Sequence, residues 1–198
     1  MGLLDVLLGR TKPAKPNLDR LFGLPGARVT LEATEGLVPT GSAGVCFKPV
    51  AGQAFGQTEA EIGQLLSLED AEEGALRLTK ESDQYGYRWL VLRADDFDTL
   101  VTRVHVANST LEEHGYGPQL LCSVFAFARP PGAPAAEAAG RVYLVYLYKR
   151  GTFYPFVPLD GERRDNEAEL RLKAELGEDL AIEPELDRWF PIWDLPVR

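Results

Sequence analysis

The spacing of apolar residues switches between a helical and a strand period along the chain, and each switch predicts an element. Phe97, Leu100 and Val104 recur on one helix face, and Asp95 or Asp96 can cap the helix that they form. Two other predicted helices begin at a Thr or an Asn that is followed three residues later by Glu. Side chains of these types at this spacing can cap the start of a helix. The predicted helices cover residues 17–22, 58–67, 96–114 and 166–177.

Runs rich in β-branched and aromatic residues, bounded by turn residues, predict the strands. They cover residues 29–33, 44–50, 75–80, 85–93, 120–128, 142–148 and 152–157. A glycine-rich turn at 39–44, an acidic loop at 69–74 and a Pro- and Ala-rich loop at 130–140 separate them. Strands that follow one another without an intervening helix disfavour a parallel sheet.

The predicted fold is therefore α+β, with a mainly antiparallel sheet and helices 96–114 and 166–177 packed on one face. This layout is similar, at the level of the fold, to YbjN-like and type III secretion chaperone-like domains. The strand 142–148 is apolar at every position, so both of its faces must be covered. Pro155 cannot donate a ladder hydrogen bond, so 152–157 should be an edge strand or have that residue facing outward. At an edge, Pro155 would limit pairing with a partner strand.

The first segment of the chain carries an apolar face that is too short to form a stable helix alone. This face is formed by Leu3, Leu4, Leu7 and Leu8. It must dock on a partner, on its own domain or at the membrane interface, and the Pro- and Lys-bearing linker 11–16 favours a partner. We expect residues 1–16 to be an arm and linker, and residues 17–198 to be a single domain.

Composition limits the classes of protein that the chain can represent. Of its 198 residues 45% are apolar, and its net charge of -9 makes a nucleic-acid partner improbable. No apolar run is long enough for a membrane span, and a secretory signal is not visible, so a cytoplasmic protein is expected. Cys46 and Cys122 lie in apolar segments typical of buried thiols, and no spacing of Cys and His indicates a metal site.

Four cations form a basic edge that could receive a carboxylate-rich helix or a phosphate. They are Lys149, Arg150, Arg163 and Arg164. The last two fall in a predicted loop, so their replacement should leave the fold intact. The alternative is that Arg163 and Arg164 only pair with the neighbouring Glu162 and Asp165.

Catalytic residues cannot be nominated, because the chain lacks the nucleophile, phosphate-loop and dinucleotide motifs. His105 and His114 lie on or at the end of the helix 96–114, where each has an ordinary structural explanation. A cofactor is not expected. An alternative function, enzyme or small-ligand sensor, would use an aromatic pocket, although aromatics at strand spacing more often form the core. The candidate pocket residues are Tyr146, Tyr148, Phe153, Tyr154 and Trp189.

Several segments together resemble PspAB, the PspA-associated protein family. They are MGLLDVLLGRTKP, YGYRWLVLR, GYGPQLLCSVFAF, VYLVYLYKRGTFYPFVP, GERRDNEAEL and IEPELDRWFPIWD. The resemblance implies a non-catalytic adaptor or regulatory partner of a PspA-like coiled-coil scaffold in the phage-shock envelope stress response. It also implies that the chain meets the inner face of the cell membrane only weakly or through that partner.

Overall fold

The structure, a computed structural model, describes residues 16–49, 53–68, 77–130 and 140–198. The α-helices are α1 Leu24–Glu35, α2 Gln53–Leu68, α3 Phe97–Glu113 and α4 Asn166–Glu175. The strands are β1 Val38–Phe47, β2 Arg77–Ser82, β3 Arg88–Arg93, β4 Leu120–Ala128, β5 Arg141–Leu147, β6 Thr152–Phe156, β7 Pro158–Leu159 and β8 Arg163–Arg164. Short 3-10 helices cover Leu18–Gly23, Gly117–Gln119 and Leu186–Arg188.

The main sheet has six strands in the order β2-β3-β1-β4-β5-β6, and every neighbouring pair is antiparallel. Its register places Gly44 opposite Val124, Val124 opposite Val145, and Val145 opposite Tyr154. A two-residue pairing of β7 with β8 forms a second, small sheet. The predicted α+β class and the predicted edge position of the strand that holds Pro155 are both confirmed.

Each face of the sheet is covered by a different part of the chain. Helices α1, α3 and α4 pack on the first face, and α2 packs against α3. The second face is covered by the C-terminal segment, residues 181–198, through side chains that include Trp189 and Val197. Along β5, Leu144 and Tyr146 point to the first face while Val145 points to the second. The predictions of a doubly covered strand and of helices on one face are confirmed.

The first half of the chain differs from its prediction. Residues 29–33, predicted as a strand, lie in α1, where Leu24, Ala27 and Leu31 face the core and Val29 is 59% exposed. Gly23 and Gly26 do not break this helix. A Cβ at Gly26 would lie 3.1 Å from a carboxylate oxygen of Asp179, so these glycines allow that residue to approach α1 closely.

Other boundaries also shift, and each shift has a local cause. The predicted turn at 39–44 is part of β1, which pairs with β4 through a bulge there. Asp165 rather than Asn166 caps α4, because its side chain accepts the amide hydrogen of Ala168 at 3.0 Å. Asp96 caps α3 as predicted, and the backbone N–H of Thr99 holds the pKa of Asp96 below its ordinary value.

Some predicted features lie outside the residues that the structure describes. These are the arm and linker 1–16 except for its last residue, the acidic loop 69–74, and most of the loop 130–140. Within the described ranges, none of the helices combines the length and the apolar character needed to cross a bilayer.

Candidate functional site

The C-terminal segment attaches to the sheet at the edge strand β6. The amide of Phe153 donates to the carbonyl of Ala181 at 2.9 Å, and the amide of Glu183 donates back to the carbonyl of Phe153 at 2.7 Å. Phe153 and Ile182 thereby form a short parallel bridge. The protein's own chain therefore occupies this edge at Phe153, near the start of β6.

A buried carboxylate fixes this attachment. The side chain of Glu183 is fully buried, and it accepts hydrogen bonds from Nε of Arg150 at 2.6 Å and from the hydroxyl of Thr152 at 2.7 Å. Its backbone carbonyl also accepts the indole N–H of Trp189 at 3.0 Å. Burial alone would raise the pKa of Glu183, but the hydrogen bonds from Arg150 and Thr152 outweigh it, and the pKa is lowered.

A second ion pair holds the segment further along. Nε of Arg164 donates to both carboxylate oxygens of Glu169 at 2.9 and 3.0 Å, and its Nη1 donates to the carbonyl of Trp189. Glu169 also accepts the amide hydrogen of Val157 at 2.9 Å. Burial raises the pKa of Glu169 more than the Arg164 guanidinium lowers it. Arg164, in β8, thus joins α4 to the C-terminal segment.

These contacts correct the predicted basic edge. Arg163 and Arg164 lie in β8 rather than in a loop, and their partners are the Asp160 carbonyl and Glu169 rather than Glu162 and Asp165. The four cations also do not form one cluster. Lys149 and Arg150 lie in the turn before β6, whereas Arg163 and Arg164 follow β6, whose five residues span about 17 Å.

Two members of the basic edge are therefore structural. Arg150 and Arg164 are bound to the buried carboxylates, while the side chains of Lys149 and Arg163 are exposed. The predicted arm contacts Leu3, Leu4, Leu7 and Leu8 lie outside the described residues. Sequence spacing could not identify Arg150 as a structural residue, because the carboxylate that binds it is 33 residues away.

The five predicted pocket aromatics are divided between the two faces of the sheet. On the first face, the rings of Tyr146 and Phe153 pack at a tilt of 53° with 5.0 Å between their centroids, and Tyr148 belongs to the same cluster. On the second face, Tyr154 stacks on Trp189 at 5.8 Å. All five side chains are buried in the core, so they do not line one common pocket.

A different cavity opens on the second face, and we call it the tail cavity. It has a volume of about 570 Å³ and lies between the β2–β3 turn and residues 190–193 of the C-terminal segment. Its aromatic lining comes from Tyr85, Tyr87, Trp89, Tyr154, Phe190 and Trp193. Cys46, Cys122, Lys48 and Asp83 also line it. Tyr154 is the predicted pocket residue that reaches this cavity.

The carboxylate of Asp83 shapes one wall of the tail cavity. It accepts the amide hydrogens of Tyr85 and Tyr87, each at 2.9 Å, and the indole N–H of Trp89 at 3.0 Å. These bonds order the β2–β3 turn and orient the Trp89 ring. A second cavity, of about 450 Å³, has a more polar lining and adjoins Arg77 and Arg93. These two residues lie opposite each other on β2 and β3, at the end of the two strands away from the β2–β3 turn.

The two histidines have structural partners. His114 ends α3, where its ring contacts the Thr110 carbonyl at 2.8 Å and Glu61 at 3.0 Å. The ring of His105 packs at a tilt against Phe22, with 4.9 Å between ring centroids. Across the described parts of the chain, no group of three or more His, Cys, Asp or Glu side chains is placed to hold a metal ion.

The fold and its surfaces define an α+β domain whose sheet carries helices on one face and its own C-terminal segment on the other. Over residues 1–197 the chain matches the family described as PspA associated protein B, and it belongs to that family. This finding confirms the resemblance drawn from the sequence segments. No curated protein and no solved structure matches the chain, so the likeness to YbjN-like domains rests on the layout alone.

Proposed function

We propose that this chain is a non-catalytic adaptor or regulatory partner of a PspA-like protein. The observation that carries the proposal is the match to the family along residues 1–197, because the description of that family names association with PspA. Through a membrane-binding, coiled-coil partner of this kind, a cytoplasmic chain would reach the inner face of the cell membrane during envelope stress.

The binding surface that we propose is the edge of the sheet at β6. Lys149 and Arg163 are exposed near opposite ends of this strand, on a protein whose net charge is -9. β6 alone spans about 17 Å, or about three turns of a partner helix, and Arg163 lies opposite Leu159, beyond the end of this strand. An acidic helix lying along the edge could therefore contact both cations, and such contacts weaken as salt screens them.

Charge reversal tests this surface. The double variant Lys149→Glu and Arg163→Glu should keep the melting temperature but lose co-purification with the PspA-like protein of the same cell, measured by intact mass. The matched control is Arg77→Glu with Arg93→Glu, which changes the net charge equally at the opposite side of the sheet. If both variants bind as tightly as the wild type at low salt, the proposed surface is contradicted. If both lose binding to the same extent, the loss is a general effect of charge and the proposed surface is also contradicted.

The second proposed contact is the arm, whose apolar face consists of Leu3, Leu4, Leu7 and Leu8. Deleting residues 1–10 should leave the melting temperature nearly unchanged and reduce co-purification with the PspA-like protein, since the face would dock on the partner. A control variant keeps the whole chain and carries Leu4→Ser and Leu7→Ser. It separates the loss of the apolar face from the effect of a shorter chain. A large loss of stability in either variant would instead place these leucines in the core of the domain.

A second candidate function, a small-ligand sensor, is favoured by the tail cavity. Its volume of about 570 Å³ and its aromatic lining are typical of sites for small molecules. Native mass spectrometry of protein taken directly from its host cell would show a bound ligand as a mass that disappears on denaturation. Replacing Tyr85→Ala at the rim should lower the bound fraction, and a spectrum with the apoprotein alone would argue against a sensor.

A further inference from the structure

Two cysteines face each other across the centre of the sheet. Cys46 in β1 and Cys122 in β4 are direct partners in the antiparallel register, and both side chains belong to the cluster on the second face. Direct partners in such a pair have Cα atoms about 4.5 to 5.5 Å apart. Disulfides join Cα atoms at about 4.4 to 6.8 Å, so the backbone already has the required spacing. Both residues are free thiols in the structure.

Small molecules can reach these thiols although their exposure is low. Cys46 is 4% and Cys122 8% exposed, yet both line the tail cavity, which opens between the β2–β3 turn and residues 190–193. A volume of about 570 Å³ admits a low-molecular-weight disulfide but not a folded protein. The reagent class is therefore limited by size, and a thioredoxin-like protein would need the C-terminal segment to move.

The environment of the pair separates the roles of the two sulfur atoms. A hydrogen bond between the two thiols, together with burial, raises the pKa of Cys46. Cys46 thus keeps its proton at neutral pH, and Cys122, the more exposed of the two, is the first nucleophile.

We propose that Cys46 and Cys122 are a modification site that a low-molecular-weight disulfide converts, through the tail cavity, to a reversible cross-strand disulfide. The Cys122 thiolate attacks one sulfur of the reagent, forms a mixed disulfide and releases the first small thiol. Cys46 then loses its proton, attacks the Cys122 sulfur and displaces the second small thiol. Two protein thiols and one reagent disulfide thus give one protein disulfide and two small thiols.

The product would tie β1 to β4 beneath the C-terminal segment. It closes a long loop, because the two residues are far apart in sequence, and such closure restricts the unfolded chain. We therefore expect the melting temperature to rise by roughly 5 °C or more on oxidation and to return on reduction.

The test uses reduced, full-length protein treated with dipyridyl disulfide, whose released thiopyridone is measured by absorbance. The proposal predicts two equivalents of thiopyridone per chain and an intact mass about 2 Da lower, because two thiol hydrogens leave. In the variant Cys46→Ser the reaction should stop at the mixed disulfide on Cys122, with one equivalent released. In Cys122→Ser the release should be slower than in Cys46→Ser, because Cys46 is the more deeply buried of the two thiols.

An independent probe checks the proximity of the sulfur atoms. Phenylarsine oxide, which condenses with two adjacent thiols and releases water, should bind the wild-type chain in a one-to-one ratio and neither single variant tightly. Stable adducts on both cysteines, covalent dimers, or thiols that react only after denaturation would each overturn the proposal.

Discussion

Replacing Glu183 by Gln removes a buried negative charge from the attachment of the C-terminal segment, and we expect it to lower the free energy of unfolding by about 3 kcal/mol. The carboxylate is fully buried and accepts charged hydrogen bonds from Arg150 and a hydroxyl bond from Thr152. Bonds to charged groups contribute about 1.5 to 3 kcal/mol each. Arg150 is 38% exposed, so its guanidinium regains water, which limits the loss.

The assay is thermal unfolding followed by circular dichroism. For a chain of this size, about 3 kcal/mol corresponds to a melting temperature lowered by roughly 6 to 12 °C. The matched control is Glu185→Gln, which removes a 55% exposed carboxylate that also pairs with Arg150, at 3.8 Å. Exposed pairs contribute about 0 to 1 kcal/mol, so the control should melt within roughly 4 °C of the wild type.

The pH dependence gives a second measurement on the same variant. The folded-state pKa of Glu183 is lowered from its ordinary value of 4.5, so its stabilising effect is present above that value and is lost as pH falls through the folded pKa. The difference between wild type and Glu183→Gln should therefore be full at neutral pH and shrink in acid. If Glu183→Gln and the control Glu185→Gln had the same melting temperature at neutral pH, the reasoning would be refuted.

Three further substitutions, two of them with a matched control, test other parts of the structure. Arg164→Gln leaves the buried carboxylate of Glu169 without its charged partner and should lower the free energy of unfolding by about 3 to 5 kcal/mol. The neighbouring Arg163→Gln should change the free energy of unfolding, measured with denaturant, by less than about 1 kcal/mol. Val145→Asp places a carboxylate at a fully buried position, and the variant should show no cooperative unfolding transition. Gly44→Ala adds a Cβ 2.7 Å from the C-terminal segment and should lower the melting temperature, whereas Gly56→Ala, in open space on α2, should not.

The elements that sequence patterns predicted well are those whose local chemistry agrees with their packing. The strand predicted at 120–128 is β4, Leu120–Ala128, because this run is apolar except for Ser123 and is bounded by turn residues. Helix α3 begins after the cap Asp96, as its spacing indicated. By contrast, α1 starts with Leu-Pro-Gly, a sequence typical of a break, and only the approach of Asp179 explains its glycines.

The candidate site was less predictable, because its decisive contacts join residues that are distant in sequence. Arg150 and Glu183 lie 33 positions apart, and no local pattern identifies either as the partner of the other. The burial of Cys46 and Cys122 followed from their apolar neighbours and is confirmed. That the two cysteines lie opposite each other could not be predicted. The register of β1 on β4 depends on a bulge between Pro39 and Ala43, in a stretch that the sequence predicted as a turn.

The two structural ion pairs also determine how partner binding must be measured. Charge reversal at Arg150 or Arg164 would release the C-terminal segment, so a loss of binding would report a damaged fold instead of a missing contact. Lys149 and Arg163 each precede one of these residues, and their side chains are exposed. Their reversal changes the surface charge at nearly the same places while leaving both buried carboxylates paired. Binding that falls while the melting temperature holds would therefore locate the contact on this edge of the sheet.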